Sequence, residues 1–296
     1  MFRDRTLKYL LVLPALIIIL LVMFYPIAYA VYTSFYSYLY GRITNYVGLM
    51  NWSLAFQDSF FWHSILITLI YSVIAIPIEL VISLALAISL FELENHISKK
   101  FITIIRSVVI VPFVVMPTVT GVIWRLIFMP NFGLASEIFE ILHLPNIDWL
   151  GQSTNSMIAV IIMDIWMWVP FLFIILYAAL QSLPMEAFEA ALVDGASRMQ
   201  LVRMVILPLL KSSMLVAISL RSIDAIRIFD QVYAMTQGGP GDATMFASLQ
   251  LSNTAFGQLN FGVAATELFI TFVIMLLIVG SYYLIGIRRS ANVQIK

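Results

Sequence analysis

Residues 182–211 read SLPMEAFEAALVDGASRMQLVRMVILPLLK, a polar, charge-bearing island set between long apolar runs. Its chemistry is that of two short helices joined by a turn. Pro184 stands where a first-turn proline is tolerated, and Glu186 and Glu189 favour the positive N-terminal end of a helix. Ala187, Ala190 and Ala191 give that helix a smooth face without a bulky side chain. Asp194-Gly195 ends it, since glycine takes the left-handed C-cap conformation without strain. Ser197 and Gln200 form a Ser-x-x-Gln capping box that starts a second helix, predicted to run to Pro208. A small smooth helix with acidic ends, at the mouth of a membrane bundle, suits docking into a groove on another protein.

Working outward, the flanking sequence places the chain in a membrane. Hydrophobic residues make up 62% and charged residues 11%, outside the usual range of soluble domains. Five runs, near 9–33, 65–91, 101–128, 157–180 and 264–287, are long enough to cross roughly 30 Å of hydrocarbon. A sixth, near 204–234, is apolar in its first half and charged in its second. The expected architecture is an all-α polytopic membrane protein with six spans in one membrane domain over residues 1–296, without a soluble domain or internal repeat. The first run is too long for the core of a cleavable signal peptide and reads as a retained span.

Cation placement orients the bundle. With six spans both termini share a side, and if that side is the cytoplasm it holds Arg3, Arg5, Lys8, Lys99, Lys100, Arg106, Arg198, Arg203, Lys211, Arg288, Arg289 and Lys296. Only Arg42, Arg125, Arg221 and Arg227 remain for the outer half. This positive-inside bias puts both termini and the 182–203 loop in the cytoplasm. Residues 37–61 and 129–152 read as outer loops, and Gln237-Gly238-Gly239-Pro240-Gly241-Asp242 is the sharpest turn signal.

Several function classes are excluded. The formal net charge is zero, which argues against a nucleic-acid partner. No Gly-x4-Gly-Lys-Ser/Thr phosphate loop occurs, so the chain has no site for ATP of the usual kind. There is no cysteine, and His63, His96 and His143 are scattered over different loops, so no metal centre and no catalytic residue is expected.

Charges inside hydrocarbon are costly and mark candidate sites. Arg221, Asp224, Arg227 and Asp230 recur every three residues in the sixth run described, the fifth in chain order. They read either as a hydrophilic stripe facing a cavity, with forks for polar groups, or as ion pairs, Arg221–Asp224 and Arg227–Asp230, that knit the bundle together. Trp166, Trp168 and Phe171 precede the polar island; such rings can stack on the apolar face of a bound solute, and packed or lipid-facing rings are the alternative. Glu79 and Asp164 are further intramembrane acids in need of a partner or a proton.

The island also carries a resemblance. Glu189-Ala190-Ala191, Asp194-Gly195-Ala196 and Leu207-Pro208 are similar, at the same spacing, to the "EAA" loop of permease subunits of ATP-binding-cassette importers. Tyr46 to Trp52, Val111-Pro112-Phe113 through Trp124, Pro130 to Leu134 and Phe229 to Pro240, the last an "FDxxYxxTxGGP" run, resemble carbohydrate permeases of the maltose, trehalose or glycerol-phosphate type. The resemblance runs from about residue 8 to the end.

The resemblance implies a type I importer permease in the cytoplasmic (inner) membrane of a prokaryote. Its partners would be a second homologous permease, an ATPase subunit dimer and an extracytoplasmic sugar-binding protein. The chain itself would bind no cofactor, Mg-ATP being held by the ATPase, and would not be an enzyme. Glu186, Glu189, Ala190, Ala191, Asp194, Gly195 and Pro208 would couple to the ATPase. Phe113, Trp166, Trp168, Phe171, Arg221, Asp224, Ala225 and Ile228 would line the substrate path by position. A disaccharide such as trehalose or maltose is favoured. The alternatives are glycerol phosphate or another polar solute, and an ion-coupled secondary carrier, which has no need of a docking helix.

Overall fold

The computed structural model describes residues 2–39, 42–94 and 96–291. Lys296 and the side chains of Arg3, Arg5, Lys8, Arg288 and Arg289 lie outside the described set. In chain order the elements are α1 (Phe2–Ser34), β1 (Tyr36–Leu39), β2 (Arg42–Tyr46), α2 (Met50–Gln57), α3 (Ser59–Leu93), α4 (Lys99–Val114), α5 (Pro117–Ile127) and α6 (Leu134–Ile141). There follow α7 (Ser153–Gln181), α8 (Met185–Val193), α9 (Arg198–Leu201), a π turn (Val202–Ile206), α10 (Leu207–Ile226), α11 (Asp230–Met235), α12 (Ala247–Ser252), a second π turn (Asn253–Gly257) and α13 (Phe261–Ala291).

Among the described residues five helical stretches are long and apolar enough to span a bilayer: Leu11–Ser34, Ser59–Leu93, Ser153–Gln181, Arg198–Ile226 and Phe261–Tyr282. The expected third span is not one straight helix. It is the pair α4 and α5, bent by 94° between Val114 and Pro117, and it makes a sixth crossing only if the two halves are counted together. The cause is local: the residue before a proline is driven out of the α region. Met116 accordingly has ψ 137° and Val115 ψ 134°, while Pro117 starts the next helix.

Two further boundaries differ from the sequence reading. Pro208 does not end a helix. A proline inside a helix loses its own N–H bond and crowds the carbonyl four residues back. Here the preceding π turn widens the spiral, with Leu207 N–H bonding the Val202 carbonyl, and α9 continues into α10. At the other end α10 stops at Ile226, and Arg227 to Phe229 form a break before α11. Arg221, Asp224, Arg227 and Asp230 are therefore not one stripe on one helix.

The chain divides into two compact units, Met1–His63 with Gln250–Val273, and Ser64–Leu249 with Ile274–Lys296. In the first, the segment expected as a plain outer loop folds as the antiparallel β1–β2 hairpin followed by α2. Buried Asn51 pins it, donating to the Ser34 and Tyr36 carbonyls at 2.9 Å each. The second 129–152 loop likewise contains a helix, α6.

The second unit holds two apolar clusters. One gathers Tyr71, Ala75, Phe128, Met163, Ala225, Ile228 and Phe246; the other gathers Leu90, Ile102, Phe173, Leu176, Phe188 and Leu210. In the same unit α5 lies against α11, and Gly121 lets them approach. A Cβ there would meet the Gln231 carbonyl oxygen and stand 2.8 Å from Ala234 Cβ. Small residues serve this purpose at crossings of membrane helices. Gly121→Val is thus expected to lower stability by about 1–3 kcal/mol through overpacking, read as an earlier thermal transition of the purified protein in detergent. An unchanged transition would show that the two helices can part without cost.

Candidate functional site

The polar island folds as its local chemistry dictates. Helix α8 begins at Met185, so Pro184 sits one position outside it as the N-cap rather than in the first turn. At the other end Gly195 has φ +77°, with Gly195 N–H bonding the Leu192 carbonyl and Ala196 N–H the Ala191 carbonyl at 3.0 Å. These two bonds are the Schellman cap, which the left-handed residue makes possible. Ser197 and Gln200 then form the capping box, Ser197 N–H donating to Gln200 Oε1 at 2.8 Å.

Helix α8 buries one side chain in the unit. Phe188 is buried, its ring 5.8 Å from Phe91 and packed among Leu90, Leu180, Ile206 and Leu210. Glu186, Glu189, Ala190, Asp194 and Gly195 are exposed around it. The sequence reading missed an apolar component of the same surface. Leu192, Val193 and Met199 are 59%, 87% and 73% exposed, large side chains that solvent would not favour at a free loop. The signal was available in the sequence for Val193, which stands well around the helix from Phe188, whereas Leu192 lies one turn along the same side and is exposed because it reaches past the packed unit.

The second site lies at the bend of α4 and α5. Irregular backbone at membrane depth is tolerated where protein covers it or a cavity wets it. Phe113, in the last turn of α4, meets Trp168 at 5.7 Å and Phe171 at 5.5 Å, and the latter two rings stand edge to face at 5.5 Å. All three are partly exposed.

Behind Trp168 is a charge cluster without solvent contact. Arg221, Glu79 and Asp164 are each 0% exposed. The Arg221 guanidinium grips Glu79 as a fork, Nε to Oε2 at 2.7 Å and Nη2 to Oε1 at 2.9 Å. Nη2 also donates to Asp164 Oδ2 and, at 3.1 Å, to the Tyr71 hydroxyl. Its Cζ stands 4.6 Å above the centroid of Trp168. This corrects the expected Arg221–Asp224 pairing and supplies the partner that Glu79 and Asp164 required. Asp224, one turn along α10, is half-exposed. Trp166 does not join these rings and meets Trp124 edge to face at 5.9 Å. Ala225 and Ile228 are buried in the apolar cluster around Tyr71. His63, His96 and His143 are exposed, as the sequence suggested, although His63 lies near the start of α3 and not on a loop.

Residues 68–290 match the family described as the binding-protein-dependent transport system inner membrane component. The chain belongs to this family. It is thus a permease of a binding-protein-dependent, ATP-binding-cassette importer, with the expected helical membrane architecture and, in addition, the short β1–β2 hairpin. The permease is similar to the trehalose/maltose transport system permease protein MalF of Thermococcus litoralis, at 32% identity over 96% of this chain and 95% of the relative. It is also similar to the sulfoquinovosyl glycerol transport system permease protein SmoG of Agrobacterium fabrum, at 30% identity over 94% and 90%. The trehalose transport system permease protein SugA of Mycobacterium tuberculosis is 31% identical over 79% of this chain and 74% of its own length. A crystal structure of a bacterial transporter that imports the acidic polysaccharide alginate shares the fold, with a TM-score of 0.84 at 20% identity over 97% of the permease and 96% of that chain.

Proposed function

We propose that this permease is one half of the pore of a prokaryotic inner-membrane importer for a disaccharide of the trehalose or maltose kind. The single observation that carries the reading is the 32% identity, along nearly the whole of both chains, to a trehalose/maltose permease. Three partly exposed rings, Phe113, Trp168 and Phe171, offer apolar faces to the C–H faces of a sugar, and half-exposed Asp224 offers an acceptor for hydroxyls. The guanidinium beside them is already held by two carboxylates, an arrangement that suits a neutral sugar better than a phosphate.

A second homologous permease completes the pore, and an extracytoplasmic binding protein delivers the sugar. Exposed α8, with its acidic ends and apolar Leu192 and Val193, docks on an ATPase pair at the cytoplasmic side. ATP-driven closure of that pair moves α8 and tips the bundle outward-open. Proteoliposomes holding the chain with its ATPase, second permease and binding protein are expected to accumulate labelled trehalose or maltose only with ATP on the ATPase side. Glycerol phosphate should not compete. Robust sugar flux through the chain alone would replace this reading by a secondary carrier, and competition by glycerol phosphate would replace the substrate.

A further inference from the structure

We propose that Arg221 is a positioning residue, which fixes the Trp168 ring from behind so that the sugar meets the ring and never the guanidinium. The proposal rests on the carbohydrate-importer reading above. Arg221 is 0% exposed, and Glu79, Asp164 and Tyr71 together occupy its Nε and Nη2 donors. Nη1 has no hydrogen-bond partner among the described residues, yet it is buried like the rest of the side chain, so a sugar could reach the guanidinium only by parting the surrounding helices. The guanidinium carbon instead stands over Trp168, 4.6 Å from the ring centroid. Tryptophan is the strongest aromatic partner for a cation, and the attraction grows where water is excluded.

Three constraints then meet on one side chain. The guanidinium covers one face of the indole, and Phe113 and Phe171 brace it at interplanar angles of 61° and 87°. The Glu79 fork matters because it removes the freedom that Arg221 would otherwise have. A lysine carries the same charge as a mobile point and cannot make the fork. The acids are thereby assigned a role as well: they orient the cation that orients the ring.

The test is a double-mutant cycle in the assembled transporter. Arg221→Lys is expected to lower uptake per assembled complex, at saturating sugar-loaded binding protein, on the order of tenfold. Trp168→Leu should cause a comparable fall, and the double variant should be no worse than the poorer single. Multiplying losses in the double would overturn the proposal, because Arg221 would then act apart from the ring. A second reading needs no sugar. Arg221→Lys should shift the tryptophan emission of the complex, and the shift should vanish in a Trp168→Phe background. Persistence of the shift without Trp168 would equally overturn it. This optical arm stays decisive even if the complex moves no disaccharide, so failure of the substrate reading and failure of the positioning role are separable. Glu79→Gln keeps an acceptor for Arg221 but drops one charge. Measured in parallel, it should show the same pattern at smaller size, and it carries both readings if Arg221→Lys does not assemble.

Discussion

Arg221→Met is expected to remove most of the folded permease from the membrane. The substitution leaves Glu79 and Asp164 fully buried without their cation. Removing one partner of a buried ion pair costs about 3–5 kcal/mol, because the remaining charge is neither hydrated nor compensated. Total stabilities are commonly about 5–15 kcal/mol, so this single change takes a large share. The same physics predicts rescue. Arg221→Met combined with Glu79→Met and Asp164→Val removes all three charges at similar volume, and such replacement is often neutral or stabilising. Folded yield and the detergent melting transition should fall in the single variant and recover in the triple. Recovery of yield without recovery of uptake is the further expectation, since the triple variant no longer holds Trp168. A single variant that folds and melts normally would mean that the two acids carry protons and need no counter-charge.

How far the sequence could reach depends on how local each determinant is. The polar island was legible in detail, since Gly195 and the Ser197–Gln200 box act within a few residues of themselves. Hydropathy found the apolar runs, yet it is blind to direction. Residues 101–128 are predominantly apolar, Arg106 and Arg125 apart, and still turn by 94°, because Pro117 dictates the backbone of Met116 whatever the side chains prefer. Pro208 misled in the opposite sense: a proline read as a stop is accommodated by a π turn that no composition rule announces.

The charge cluster shows the remaining limit. Spacing along α10 suggested Asp224, three residues from Arg221, as its partner. The acids that bind it lie 142 and 57 positions away, on α3 and α7. Burial decides between them. A half-exposed carboxylate is hydrated and can wait, whereas Glu79 and Asp164 without a cation would be among the most costly groups in the unit. Sequence alone named all three residues as intramembrane charges and could not bring them together.

Phe188→Ala is expected to separate ATP hydrolysis from uptake. Helix α8 bears Glu186, Glu189 and Ala190 outward and enters the packed unit chiefly through Phe188, 5% exposed and 5.8 Å from Phe91. Its other tie to α3 is a bridge from Arg198 of the following helix to Glu92 at 3.3 Å, with the arginine side chain 90% exposed, and such bridges contribute little. Truncating a buried phenylalanine costs about 3–5 kcal/mol. Here the loss falls on the docking of one nine-residue helix rather than on the whole fold, so the helix loosens while the spans stay packed. An ATPase that still grips α8 would then move it without moving α3. ATP hydrolysis by the assembled complex should remain within a few-fold of normal, while sugar taken up per ATP should fall by about tenfold or more. Phe188→Leu, which refills most of the pocket, should restore much of the ratio. Equal loss of hydrolysis and uptake would show instead that Phe188 holds the ATPase-binding surface in shape, and an unchanged ratio would show that α8 transmits its motion by another contact.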